Sequence, residues 1–181
     1  MKKINNYILE KLNKINSKNF NSISYKYFPE DIFQLQRIIS RLIKERGKEA
    51  DLNDIDTSKI TDMTGLFSNT NFNGDISKWD VSNVENMSYM FEKSKFNGDI
   101  SYWDVSHVKD MYAMFDSSNF NGDISKWDVS NVEDMSLMFC DSKFTGQNGD
   151  ISNWDVSNVQ NMIHMFKNTP LEKNPPKWYK K

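Results

Sequence analysis

The chain has 181 residues, of which 27% are charged and 13% aromatic, with one cysteine and a formal net charge of −2. This length fits one domain, the aromatic content suffices for a core, and the absence of an 18-residue apolar run excludes a membrane span. Cys140 alone excludes an internal disulfide and favours a reducing compartment. The first residues lack the apolar stretch of a secretory signal and a lipidation cysteine, so we expect a cytoplasmic protein, with a surface location still open.

Residues 1–50 are predicted to form an N-terminal helical cap. A first helix over about residues 3–16 places apolar residues at helical spacing. This helix either packs on the second helix or is a free arm for a partner, a membrane surface or nucleic acid. The second helix is predicted to begin at Pro29 and to end at Gly47. Its apolar stripe is formed by Ile32, Leu35, Ile39, Leu42 and Ile43.

Residues 51–169 repeat a unit of 24 residues. Successive "WDVS" motifs begin 24, 24 and 27 residues apart, at Trp79, Trp103, Trp127 and Trp154. Each copy of such a repeat cannot bury its apolar face alone, so neighbouring copies must stack. The longer step is explained by an insertion of residues 145–147. Residues 170–181 contain three prolines, four lysines and one tryptophan, and we assign them as a C-terminal cap and basic tail.

Within one copy, two hydrophobic periods follow each other. "DISKWDVS" favours a short strand, and the spacing of Val84, Met87, Met90 and Phe91 favours a short helix. Ser82 precedes this helix at capping-box spacing from Glu85, and the serine recurs in the other copies. The sequence therefore predicts an α/β repeat solenoid, a leucine-rich-repeat-like stack of about five strand–helix units. We expect parallel strands with right-handed crossovers.

The motifs "WDVSNVENMSYMF" and "FNGDIS" resemble the BspA-like leucine-rich-repeat family, in particular its mycoplasmal-type lipoprotein repeat. The resemblance covers residues 50–178. It implies a leucine-rich-repeat-like horseshoe or short rod used for binding, of the kind found in gut Bacteroidales and their phages. Members at the cell surface carry a signal peptide or lipid anchor.

Charge is unevenly distributed along the chain. Residues 1–50 carry 11 Lys and Arg against 5 Asp and Glu, residues 51–166 carry 7 against 19, and residues 167–181 carry 5 against 1. The acidic repeats argue against a phosphate backbone as their ligand.

Two columns of identical carboxylates recur in the repeats, and a turn column of asparagines accompanies them. Stacked carboxylates need partners, which are either backbone N–H groups in Asx turns, the interpretation we favour, or a ladder of divalent cations. We expect the asparagines to tie one coil to the next. The three columns are Asp75, Asp99, Asp123 and Asp150; Asp80, Asp104, Asp128 and Asp155; and Asn73, Asn97, Asn121 and Asn148.

The sequence shows no motif that pairs a nucleophile with a base, no metal-ligand motif and no phosphate-binding glycine loop. His107 and His164 lie in different columns. We therefore predict a protein that is not an enzyme and that needs no cofactor and no metal.

Columns that differ between copies are where a partner could be recognised, unless they reflect ordinary drift at exposed positions. We expect a monomer that binds a protein partner through the strand face, with nucleic acid disfavoured. The alternatives are an acidic decoy that inhibits a nucleic-acid-binding host protein, and a surface adhesin exported by an unrecognised route. The candidate partner-binding residues are Lys78, Tyr102, Lys126, Asn153, Tyr112, Leu137 and Ile163.

Overall fold

The computed structural model describes residues 24–179, which form a stack of coils with one coil for each repeat. The regular elements are one α-helix, α1 (Ile32–Arg46), and a 3₁₀ helix, Pro170–Glu172. Successive coils pair in parallel, but only through isolated bridges such as Asn86 with Asp110. No β-strand is present among these residues. The predicted α/β solenoid of leucine-rich-repeat-like strand–helix units is therefore wrong.

The predicted strand is absent because two aspartates bend it. Asp75 Oδ1 accepts the N–H of Ser77, and Asp80 Oδ1 accepts both the N–H and the hydroxyl of Ser82. Each of these Asx turns leads into a backbone turn, Trp79 N–H to Ile76 O and Val84 N–H to Val81 O. A segment that turns twice within ten residues cannot run as an extended strand. The face that we expected to be a strand face is thus a row of turns.

The predicted helix is replaced by a segment that we call the ladder segment, residues 62–69 and its equivalents 86–93, 110–117, 134–141 and 161–168. An α-helix would bond each N–H to the carbonyl four residues earlier. Here Met87 and Tyr89 instead donate to the following coil, at Asp110 O and Tyr112 O. The junction between two coils holds four such bonds, and all sixteen bonds of the four junctions measure 2.7–3.0 Å. The serines expected to cap helices, such as Ser82, therefore cap none.

Backbone conformation explains why all these N–H groups point the same way. Between residues 24 and 179, nine non-glycine residues have positive φ, and all nine fall in two columns of the ladder segment. Left-handed residues separate the short turns and stop them from growing into a helix. The columns are Tyr89, Ala113, Leu137 and His164, with Gly65 in the first coil, and Asn69, Lys93, Ser117, Asp141 and Asn168.

The core is built from columns of identical apolar side chains, as the repeat pattern predicted. Phe91 and Phe115 stack with ring centroids 5.5 Å apart, and Trp79 and Trp103 with centroids 6.5 Å apart. The indole N–H of Trp103 donates to Ile76 O at 3.2 Å. The equivalent indole bond is made by each of the five tryptophans. All five tryptophans therefore lie in one column, and each indole bonds its coil to the preceding one.

The N-terminal part of the described chain contains one helix. Asp31 accepts the N–H of Gln34 at 2.8 Å as the N-cap, so α1 begins after Asp31 and not at Pro29 as predicted. Gly47 ends it with φ 89°, as predicted. The side chains Leu35, Ile39 and Leu42 are buried in the same core as the repeats. The predicted first helix, residues 3–16, lies outside the described residues, so the helical cap over residues 1–50 stays a prediction for that part of the chain.

The asparagine column forms the expected ladder in the first three copies. Asn73 Oδ1 accepts the N–H of Asn97, and Asn97 Oδ1 accepts the N–H of Asn121. In the next coil Thr145 takes this place, since its N–H and hydroxyl both donate to Asn121 Oδ1. Asn148, the residue predicted for this position, instead donates its side-chain amide to Asn121 O. The extra residues are therefore 146–148, one position later than predicted.

Candidate binding surfaces on the repeat stack

Both aspartate columns make Asx turns, which confirms the predicted role of these carboxylates. Each side chain of the two columns accepts the N–H of the residue two positions later, at 2.8–3.1 Å. The hydroxyl and the N–H of Ser106 hold the pKa of Asp104 below its usual range. A third column, which the sequence reading missed, repeats the same turn at Asp62, Asn86, Asp110, Asp134 and Asn161. The carboxylates are thus structural at one oxygen while most side chains stay exposed.

Four of the predicted partner-binding residues form one exposed row, which we call the turn column: Lys78, Tyr102, Lys126 and Asn153. They occupy the turn that precedes each tryptophan. Tyr102 is 79% exposed, and the ammonium of Lys126 lies 5.1 Å from the centre of its ring. This cation–π contact holds two neighbouring coils together at the surface and leaves the other ring face and the hydroxyl of Tyr102 open to a partner.

The other three predicted residues lie on the ladder segments, where they form a second surface with Tyr89. We call this set, Tyr89, Tyr112, Leu137 and Ile163, the apolar stripe. It places one large side chain on each of four successive coils. Tyr89 and Tyr112 meet edge to face with centroids 5.0 Å apart, Leu137 is half-buried, and Ile163 is 63% exposed.

The sequence reading missed Tyr89 because it compared only residues within one column. The apolar stripe takes its residues from two adjacent columns of the repeat: Tyr89 and Leu137 belong to one, and Tyr112 and Ile163 to the other. Tyr89 contacts Tyr112 of the next coil. A hydrogen bond between the two phenols, followed by partial burial, raises the pKa of Tyr89 above its usual value. The raised pKa keeps the Tyr89 phenol neutral at physiological pH.

One cluster has the residue types of a metal site. Ligand atoms of Asp116, Cys140 and Asp141 all lie within 4.8 Å of one another. The Cys140 thiol is buried and donates to Asp141 at 3.2 Å, and burial raises its pKa to about 12. Burial also raises the pKa of Asp116. The pKa of Asp141 is instead held below its usual value by Asn168 and by the Cys140 thiol. Because a metal would need the deprotonated thiolate of Cys140, we assign no metal to the cluster.

The two histidines of the sequence lie apart from each other in the structure. His107 and His164 are both exposed, and His164 belongs to a left-handed column of the ladder. Within residues 24–179, no helix combines the length and the apolar composition that crossing a bilayer requires.

Comparison with known proteins places the chain in a family. The model of the family described as "Mycoplasma protein of unknown function, DUF285" matches residues 34–148 and 103–180. No match was found among curated proteins or among solved structures. The two matches together extend over most of the chain, including every "WDVS" motif. They agree with the mycoplasmal repeat that the motifs resemble, and the chain belongs to this DUF285 repeat family.

Proposed function

We propose that the protein is a non-enzymatic binding protein that holds a protein partner on the apolar stripe. The observation that carries this proposal is the exposure of Ile163 and Tyr89 beside Tyr112 and Leu137, where the sister positions hold small or polar residues such as Ser88 and Ser136. Aromatic and large aliphatic side chains dominate binding energy at protein interfaces. A row of them on consecutive coils suits an extended partner segment.

The scaffold supports this function because it is stiff. Each of the first four coils is connected to the next by four ladder bonds, an indole hydrogen bond and stacked aromatic rings. The backbone of such a surface loses little further freedom on binding, and the ordering of loops is one of the costs of association. The proposal therefore requires no change of shape in the described part of the chain.

The turn column is the second candidate surface. Tyr102 is the most exposed large hydrophobic residue of the described chain, and Lys126 beside it adds a charge. Aromatic residues flanked by a cation favour a partner with a carboxylate. The two surfaces make different predictions, so one experiment separates them.

The test is affinity capture from an extract of the native host, followed by mass spectrometry. Bait proteins are the wild type, the stripe variant Tyr112→Ser/Ile163→Ser and the turn-column variant Tyr102→Ser. We expect the stripe variant to lose the partner that the wild type and Tyr102→Ser retain. Equal far-UV circular dichroism and melting temperatures show that all three baits are folded. Retention by the stripe variant and loss by Tyr102→Ser would assign binding to the turn column instead.

An acidic decoy remains a second candidate function, because the exposed aspartates form two rows along the stack. The repeats carry 19 acidic against 7 basic residues over positions 51–166. A charge-driven partner should be captured at about 100 mM salt and lost at about 500 mM salt, where the Debye length falls to a few Å. A partner held by the apolar stripe should remain at both salt concentrations.

A further inference from the structure

The last ladder segment presents a row of backbone donors that lacks the partners its sister rows have. The equivalents of the interior donors are Met162, His164, Phe166 and Asn168. Among the described residues, the N–H groups of the first three donate to no acceptor, whereas that of Asn168 donates to Glu172 Oε2 at 3.0 Å. His164 and Asn168 keep the left-handed φ of 58° found in their columns. The row therefore points away from the stack, as the interior rows point toward the next coil.

This donor row lies beside a cleft whose walls are partly apolar and partly charged. The cleft has a volume of about 250 Å³ and is lined by Ile163, His164, Phe166, Lys167, Glu172 and Tyr179. The ring of Tyr179 meets Phe166 edge to face at 5.1 Å and covers it, so that Phe166 is only 1% exposed, whereas His164 is exposed and Met162 is half-buried. Among residues 161–179, Lys167, Lys173 and Lys177 are exposed and Glu172 is the one acidic residue. Asp141 of the preceding coil accepts from the Asn168 side chain at 2.8 Å. The surroundings of the donors are thus basic.

We propose that this end of the stack binds an acidic peptide segment of another polypeptide, which adds to the row as a further ladder segment. Its alternate backbone carbonyls accept hydrogen bonds from the N–H groups of Met162 and His164, the two donors of the row that are neither buried nor bonded. Such carbonyls are what every interior row binds; Met135, for example, donates to Asn161 O at 2.8 Å. The Glu172 carboxylate on Asn168 shows that an anionic oxygen also satisfies a donor of this row. This inference goes beyond the apolar stripe, because it rests on backbone donors, and the two surfaces share only Ile163.

The charge of the residues around the donor row distinguishes between its possible occupants. A second copy of the chain would bring its own N-terminal end against the cleft. Residues 24–50 at that end carry six Lys and Arg against four Asp and Glu, so two basic regions would face each other. An acidic segment meets Lys167 and Lys173 favourably and gains association rate from long-range attraction.

The probe is a fluorescein-labelled, acetylated and amidated peptide with the sequence of residues 131–144 and the change Cys140→Ser. Its acidic residues exceed its basic ones, and inside the protein its carbonyls accept from the preceding coil in the proposed manner. Fluorescence anisotropy with the full chain should show saturable binding. We expect Lys167→Glu to weaken binding roughly 3- to 10-fold and Glu172→Ala, which frees the Asn168 donor, to strengthen it roughly 2- to 5-fold.

Matched controls make the result specific. Lys126→Glu introduces the same charge change on the turn column and should leave the peptide affinity unchanged. The single substitution Tyr112→Ser, which lies outside the cleft, should also leave it unchanged. A peptide with Glu133→Lys and Asp141→Lys should bind more weakly than the original. Absence of saturable binding, or equal affinity of wild type, Lys167→Glu and Glu172→Ala, would overturn the proposal. So would self-association of the chain alone that Lys167→Glu abolishes, because a second copy would then occupy the row.

Discussion

The left-handed columns of the ladder lead to a stability prediction at two alanines that differ in backbone conformation. Ala113 and Ala50 are 1% and 4% exposed, but only Ala113 has positive φ, at 49°. Replacing Ala50 by glycine removes a buried methyl group, worth about 0.8 kcal/mol, and adds about 0.5–1 kcal/mol of backbone freedom to the unfolded chain. Ala50→Gly should therefore lower the free energy of unfolding by about 1.5 kcal/mol.

Ala113→Gly carries the same two losses but also relieves the left-handed conformation, which costs an L-residue about 1–2 kcal/mol. Its net effect should lie near zero, within about 0.5 kcal/mol. Urea unfolding followed by tryptophan fluorescence measures both values, and the melting temperatures should differ by about 2–6 °C in a chain of this size. Equal destabilisation by the two substitutions would contradict the left-handed backbone conformation of Ala113 in the ladder segment.

Three further predictions concern the scaffold. Trp103→Ala should lower the free energy of unfolding by about 3–5 kcal/mol. Trp103→Phe should lower it by about 1–2 kcal/mol, because Ile76 O then lacks its indole donor. Chemical unfolding of both variants measures the difference. Asp104→Ala should lower the melting temperature while Asp104→Asn, whose amide oxygen still accepts from Ser106, should leave it nearly unchanged. Hydrogen bonding to Arg46 holds the pKa of Asp54 below its usual value. The stability that this pair adds is therefore present above about pH 4, and it is lost as the pH falls through the folded-state pKa of Asp54. The Asp54→Asn variant should accordingly show a flatter dependence of unfolding free energy on acid pH than the wild type.

The stack and its core could be predicted from the sequence because they depend on what the repeats share. Identical columns at a fixed spacing predict stacking, and the tryptophan column is buried as expected. The aspartate turns followed from the need of stacked carboxylates for donors. The local elements could not be predicted in the same way, since a spacing of apolar residues at i, i+3 and i+7 is compatible with a run of turns as well as with a helix.

One signal for the ladder was present in the first coil. Gly65 and Asn69 occupy the two left-handed columns there, and glycine and asparagine are the residue types that adopt this conformation most readily. In later coils Tyr89 and Lys93 stand at the same positions and hide the pattern, because neither residue type indicates positive φ. The inter-coil bonds of the ladder segment impose the conformation on them.

The candidate site was partly predictable. Comparison of the copies identified Tyr112, Leu137 and Ile163, which the structure brings onto one surface, and Tyr102, which it places on another. Tyr89 and the donor row at the last coil depend on contacts between coils, so the differences within a column did not reveal them.

Amide hydrogen exchange, resolved by residue, tests the central claim that one-directional ladder bonds hold the coils together and leave a donor row open at the last coil. The account predicts slow exchange at Met135, Leu137 and Phe139, at least about a thousandfold below the unprotected rate, because each donates to the following coil. In the full chain without a peptide, His164 and Met162 should exchange markedly faster than their equivalents Leu137 and Met135. Equal protection of the interior and terminal rows, or rapid exchange throughout the interior row, would contradict the account.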